Sequence, residues 1–144
     1  MKFILLSLAM LVTCSAMATD ANQMHYVQLV PPKDAITITG SSVDVSAYKG
    51  NAILLAEFET SIEAGYTGIV TFATSATGST WNTITNISGT AAVITKIGGF
   101  TNSTPDSISV DSGRLSKYIR ASVSQPGAET NAVSAIAVFP MKSN

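Results

Sequence analysis

Apolar and polar positions alternate in short runs along most of this chain. Residues 36–39 read Ile-Thr-Ile-Thr, and residues 107–111 read Ser-Ile-Ser-Val-Asp. In residues 118–124, Ile119, Ala121 and Val123 oppose Tyr118, Arg120 and Ser122, and residues 67–75 set Val70 and Phe72 on one face. A period of two predicts half-buried strands. Two runs depart from it. Residues 52–58 are apolar on both faces, with Ile53 and Leu55 opposite Leu54, Ala56 and Phe58, and residues 131–139 behave in the same way. Such strands are expected to be central and covered on both sides. Weaker strands are expected at residues 83–87 and 91–97. Turn-forming pairs separate the runs: Gly40–Ser41, Gly78–Ser79, Ser88–Gly89, Ser112–Gly113 and Pro126–Gly127. Outside the first eighteen residues no helical period persists. The pattern predicts an all-β chain, a single antiparallel β-sandwich of jelly-roll or Ig-like type with about eight strands.

The amino-terminal part reads differently. Residues 25–30 form a candidate first strand or arm, and Pro31–Pro32, which lack N–H donors, are expected to end it. Upstream, Lys2, the apolar run 3–12 and Ala16–Met17–Ala18 fit a secretory signal peptide with a mature start at Thr19. The alternatives are an apolar arm, or a true start at Met24. The expected organisation is therefore residues 1–18 as signal peptide or apolar arm and 19–34 as an extended amino-terminal arm. Residues 35–140 follow as the sandwich, and 141–144 as a tail.

Composition narrows the function classes. Charged residues are 12% of the chain, about half of the usual ~25%, and Ser and Thr take their place. Such a hydroxyl-rich surface suits packing against copies of itself or a large partner. The formal net charge is −1, with eight Lys and Arg against nine Asp and Glu. Loss of Lys2 with a cleaved leader would make it 7 − 9 = −2. With no basic patch, no nucleic-acid partner is expected, and after removal of the leader no membrane either. Cys14 is the only cysteine, so neither an intrachain disulfide nor a cysteine metal site is available. Glu57, Glu59 and Glu63 cluster in sequence, but neighbouring carboxylates on one strand are a solvated face rather than an acid/base pair across a cleft. Asp106 and Asp111 are too sparse for a calcium loop, and His25 is the only histidine. Asn86–Ile87–Ser88 and Asn102–Ser103–Thr104 fit the glycosylation triplet, which carries meaning only in a eukaryotic secretory pathway. No catalytic residue, cofactor or metal is expected, and the chain does not read as an enzyme.

Three stretches taken together carry a resemblance. Residues 42–50 read SVDVSAYKG, residues 75–81 SATGSTW and residues 115–121 LSKYIRA. In order and spacing they resemble small tailed-bacteriophage virion proteins of the capsid decoration (cement, head auxiliary) type. Their corresponding motifs look like VDLSGYEG, SxDGSTW and LxRYVRA. The match spans residues 27–139. It implies a β-sandwich on the outside of the phage head, bound to the major capsid protein or to copies of itself as a homo-oligomer. Two departures stand out: Thr77 occupies a place where many relatives carry Asp, and a signal peptide is odd for a virion protein assembled in the cytoplasm. The family's start is similar to the run from Met24.

A decoration protein needs many shallow, symmetry-repeated contacts, made by an uncharged polar surface with apolar anchors. The candidate anchors are Tyr26, Val27 and Leu29 in the arm, Tyr66, Trp81 and Phe100. Two other readings compete with the virion. One is a secreted or periplasmic module binding carbohydrate or a cell surface through Trp81. The other is an extracellular fibre subunit exchanging strands through its arm.

Overall fold

A computed structural model describes residues 24–48, 50–61, 64–100, 104–127 and 130–140. The proposed leader with Cys14, residues 19–23, Glu63, Asn102 and the tail 141–144 lie outside the described residues.

The described chain is an antiparallel β-sandwich. Sheet A contains β1 (Met24–Asp34), β10 (Ala132–Pro140), β4 (Asn51–Phe58) and β8 (Asp106–Asp111), in that order. Sheet B is built on β9 (Tyr118–Ser124) and β5 (Thr67–Ser75). The short strands β2 (Thr37–Thr39) and β3 (Val43–Asp44) lie end to end along the other side of β9. In the same way β6 (Asn82–Thr83) and β7 (Val93–Ile97) share the far side of β5. Ten strands thus occupy eight lanes. Numbered along the chain, the lanes run 1-8-3-6 in sheet A and 2-7-4-5 in sheet B. This is the doubled Greek key of a jelly roll, which decides between the two sandwich types left open by the sequence.

The core forms where the two sheets face each other. Alternation places Ala52, Leu54, Ala56 and Phe58 of β4 inward, with Val133, Ala135, Ala137 and Phe139 of β10. From sheet B come Val70 and Phe72 of β5 and Ile119, Ala121 and Val123 of β9. Glycine makes two of the close approaches possible. A Cβ on Gly40 would lie 2.0 Å from the Leu29 carbonyl oxygen, and one on Gly68 would lie 2.6 Å from the Phe58 ring.

Pro31 and Pro32 do not end the first strand. β1 continues to Asp34 because it is the edge of sheet A and bonds only to β10, so its other side has no ladder for proline to interrupt. The pairing slips between Gln28 and Val30 and again between Val30 and Lys33. Leu29 and Val30 are consecutive yet both buried, as a bulge allows. Residues 24–34 are therefore a strand of the sandwich and not a separate arm.

One end of the sandwich is closed by a buried side-chain clamp. Gln125 is fully buried, and each half of its amide makes two hydrogen bonds. Its Oε1 accepts from the Tyr66 hydroxyl (2.8 Å) and from Asn131 N–H (2.9 Å). Its Nε2 donates to the carbonyls of Ala35 (3.0 Å) and Asn131 (2.9 Å). The Gln125 backbone N–H also donates to the Ile36 carbonyl at 2.7 Å, while the Ile36 side chain stays outside. Three loops, β1–β2, β4–β5 and β9–β10, thus meet at one amide whose hydrogen-bonding capacity is filled.

Candidate interaction face

The other end of the sandwich gathers all three stretches that carry the family resemblance. In the first, Asp44 Oδ1 accepts from the N–H (2.9 Å) and hydroxyl (2.7 Å) of Ser46, an Asx turn. These bonds, with Lys117 beside it at 3.7 Å, hold the Asp44 carboxyl below its ordinary pKa. In the second, Ser75 Oγ accepts from Gly78 N–H at 2.8 Å, and Gly78 takes a positive φ of 81°. Thr77 Oγ1 accepts from Ser79 N–H and shares a 2.7 Å hydrogen bond with the Ser79 hydroxyl. Threonine can therefore cap this turn as an aspartate would, which gives the Thr77 departure a local explanation. The third stretch braces the other two. Ser116 N–H donates to Thr74 Oγ1 at 2.7 Å, and Val45 N–H donates to the Lys117 carbonyl at 2.8 Å. The Arg120 guanidinium lies 4.2 Å from the centre of the Trp81 ring. A shallow cavity of about 440 Å³ opens here between Val45, Tyr48, Leu115 and Lys117. The motif residues thus have structural work to do: they shape and join loops.

The candidate anchors part company. Val27, Leu29 and Tyr66 are buried within the chain itself and are core residues here, not surface contacts. The alternation of β1 turns Val27 inward opposite Ala137, and the Gln125 clamp holds Tyr66. Phe100 is half-buried and packs on the core, tilted against Tyr66 with ring centres 5.7 Å apart. Trp81 is half-buried with Arg120 over one face, so only the other face could stack on a ligand. Tyr26 alone stands well out, 50% exposed. His25 stacks on Tyr48 at 5.0 Å, and Tyr48 stacks on Phe139 at 4.7 Å. Asp106 pairs with Lys96 at 2.8 Å and Asp111 accepts from Gly113 N–H at 2.8 Å. Among the described residues, no three His, Cys, Asp or Glu side chains cluster as metal ligands would.

Tyr26 belongs to a surface that the candidate list missed. The two doubly apolar strands, β10 and β4, are neighbours in sheet A, and sheet B covers only one of their faces. On the outer face, ladder pairing aligns Tyr26, Val138, Ile53 and Ser109 in one row. The next row is Gln28, Ile136, Leu55 and Ser107. Met24 and Pro140 continue the surface at one end, and Glu57 with Ser134 borders the other. Ile53, Leu55 and Ile136 are half-buried, and Val138 is buried although it lies outside the core cluster. The two central rows carry no charge. The signal was present in the sequence, since Ile53, Leu55, Ile136 and Val138 are what made these strands apolar on both sides. Among the described residues only sheet B packs on these strands, so cover is seen on one of the two faces where the pattern led us to expect both.

No protein-family model matches the sequence, and no curated protein does. Among solved structures, the chain is similar to the SPBc2 prophage-derived protein YomS. Sequence identity is 9%, the TM-score is 0.53, and the match covers 86% of this chain and 98% of that one. A looser likeness is to the VP2 subviral particle of infectious bursal disease virus. There identity is 14%, the TM-score is 0.47, and 85% of this chain aligns with 34% of that one. The chain thus spans about a third of the bursal-virus protein. At such identities the likeness to YomS establishes a shared fold and no more.

Proposed function

We propose that the protein is a structural component of a virus-type particle, a decoration protein that docks on the outer surface of a phage head through the outer face of sheet A. The observation that carries this reading is the uncharged apolar patch of Tyr26, Val138, Ile53, Ile136 and Leu55, laid across three adjacent strands. A rigid sheet presents it, so little conformational entropy is lost on docking. Apolar centres with polar rims are how stable interfaces are built, and Gln28, Ser107 and Ser109 supply such a rim. The order and spacing of the three loop motifs support the family, and the jelly roll shared with a prophage-derived protein is consistent with it. Multivalency on a symmetric shell would let a patch of this modest size suffice.

The test is co-sedimentation with phage heads on a density gradient. The wild-type chain is expected to band with heads. Leu55→Lys places a charge at the centre of the patch and should leave the protein at the top of the gradient, a loss of about 2 kcal/mol or more per site. Thr71→Lys, on the outer face of sheet B, should still band. Equal loss in both variants, or a wild-type chain that ignores heads, would remove the reading.

A further inference from the structure

The two edges of sheet A are not alike. β1 carries Pro31, Pro32 and Lys33 and breaks register twice, devices that discourage another strand from adding to it. β8 has none of these. It pairs with β4 over six consecutive positions without a slip and contains neither proline nor a basic residue. Among the described residues nothing pairs with its other side.

The phase of the ladder shows which backbone groups are left over. Ser112 N–H donates to the Gly50 carbonyl at 3.0 Å, continuing the register that pairs Asn51 with Asp111. In an antiparallel pair, residues alternately face the partner and face away. Val110, Ile108 and Asp106 therefore bond to β4. The N–H and C=O groups of Ser107, Ser109 and Asp111 point outward. Beside them a groove of about 300 Å³ runs between β8 and the turn at Asn86, Ile87 and Ser88, and Ile87 is exposed at its rim.

We propose that β8 pairs with β8 of a second copy across a two-fold axis at Ser109, joining two A sheets into one of eight strands. Sequence and charge point to a second copy as the occupant. The strand reads Asp-Ser-Ile-Ser-Val-Asp, so its inversion places like beside like on each face. With Ser109 opposite Ser109, Ser107 faces Asp111 of the mate, and all three outward residues on each copy find backbone partners. Ile108 meets Val110 on the inner face. The middle of the strand is uncharged. Asp106 is already paired with Lys96, and Asp111 stands opposite Ser107 of the mate, so neither end sets like charges face to face. A two-fold axis perpendicular to the sheet keeps both outer faces on the same side, which would double the apolar surface described above. The pairing does not depend on particle binding, because it uses the edge of the sheet and not its face.

The test is sedimentation of the full chain with amide exchange at the edge. A concentration-dependent dimer is expected, with the Ser107, Ser109 and Asp111 amides protected in the dimer. Ser109→Pro removes an outward N–H, which an edge strand tolerates. Ser109→Lys sets two cations face to face. Each should raise the dimer dissociation constant about tenfold or more while leaving the melting temperature nearly unchanged. If one variant fails to fold, the other still decides. A monomer at all concentrations with those amides exchanging freely would overturn the proposal, as would a dimer that survives both substitutions. Head binding by Leu55→Lys is scored separately, so failure of one reading is distinguishable from failure of the other.

Discussion

The two outer faces of this sandwich are both four lanes of antiparallel strands, yet they present opposite chemistries. On sheet A, rows of Tyr26, Val138, Ile53 and of Ile136, Leu55 make an apolar surface. On sheet B, the rows are Thr37, Ser124, Ile69, Thr95 and Thr39, Ser122, Thr71, Val93. Hydroxyls dominate there, and the large apolar side chains that stand out, Val93 and Ile97, lie in the short edge strand β7. Hydroxyl ladders satisfy themselves in water. An apolar patch on a rigid sheet lowers its free energy only by being covered. On the function proposed above, sheet B faces solvent and sheet A faces the particle.

The strongest way to break the comparison is to remove the core both faces share. Gln125→Ala should remove four buried hydrogen bonds at once, those accepted from the Tyr66 hydroxyl and Asn131 N–H and those donated to the carbonyls of Ala35 and Asn131. Loss of several buried hydrogen bonds together, at ~1–3 kcal/mol each, is expected to lower the melting temperature steeply or prevent folding. Thermal denaturation followed by circular dichroism reads it, and loss of less than about 1 kcal/mol would mean that water replaces the amide.

A gentler change sharpens the comparison by making one face resemble the other. Ile53→Thr with Leu55→Thr should abolish binding of a hydrophobic dye to the native protein. It should cost about 1–2 kcal/mol of stability, since both side chains are only half-buried. Thr71→Val with Ser122→Val should increase dye binding. Equal dye binding by all three proteins would mean that the faces are not different to a ligand.

The smallest effect concerns the loop end. The carboxyl of Asp44 is held below its ordinary pKa by Ser46 and then by Lys117. A depressed folded-state pKa contributes stability above the unfolded value near 3.8, lost as pH falls through the lower folded value. Asp44→Asn should therefore cost a little stability at neutral pH and flatten the acid limb, with the two proteins converging as pH falls below 3.8. Because the carboxyl is fully exposed, salt should reduce the effect further.

The sequence exposed the strands well and the lanes poorly. Period-two alternation located β5, β8 and β9, and the doubly apolar runs located β4 and β10. It could not show that β4 and β10 lie side by side, because pairing across eighty residues leaves no local mark. That adjacency turns two apolar strands into one apolar face. Leu29 and Tyr66 misled for related reasons. Leu29 lies in a strand with prolines that only an edge position permits, and an aromatic between two glycines looks like a loop tip until a buried Gln receives its hydroxyl. Gln125, beside Pro126 and Gly127, carried every sign of a turn and none of a core residue. The three stretches that carry the resemblance meet at one end of the sandwich, which their order in the sequence did not show, and the hydrogen bonds described for them are internal to the fold.

The pairing of Met24 with Pro140 has a mechanical consequence. The described chain enters and leaves on adjacent antiparallel strands, at the same corner. A load applied across those two points would pull β1 from β10 by opening their bonds in succession, like a zipper, rather than shearing many bonds together. Tension carried through the ends of this domain is thus borne by its weakest direction, while a load spread over the flat of sheet A is borne by all four strands. A component that must resist pressure from within a shell is better attached by its face than by its ends.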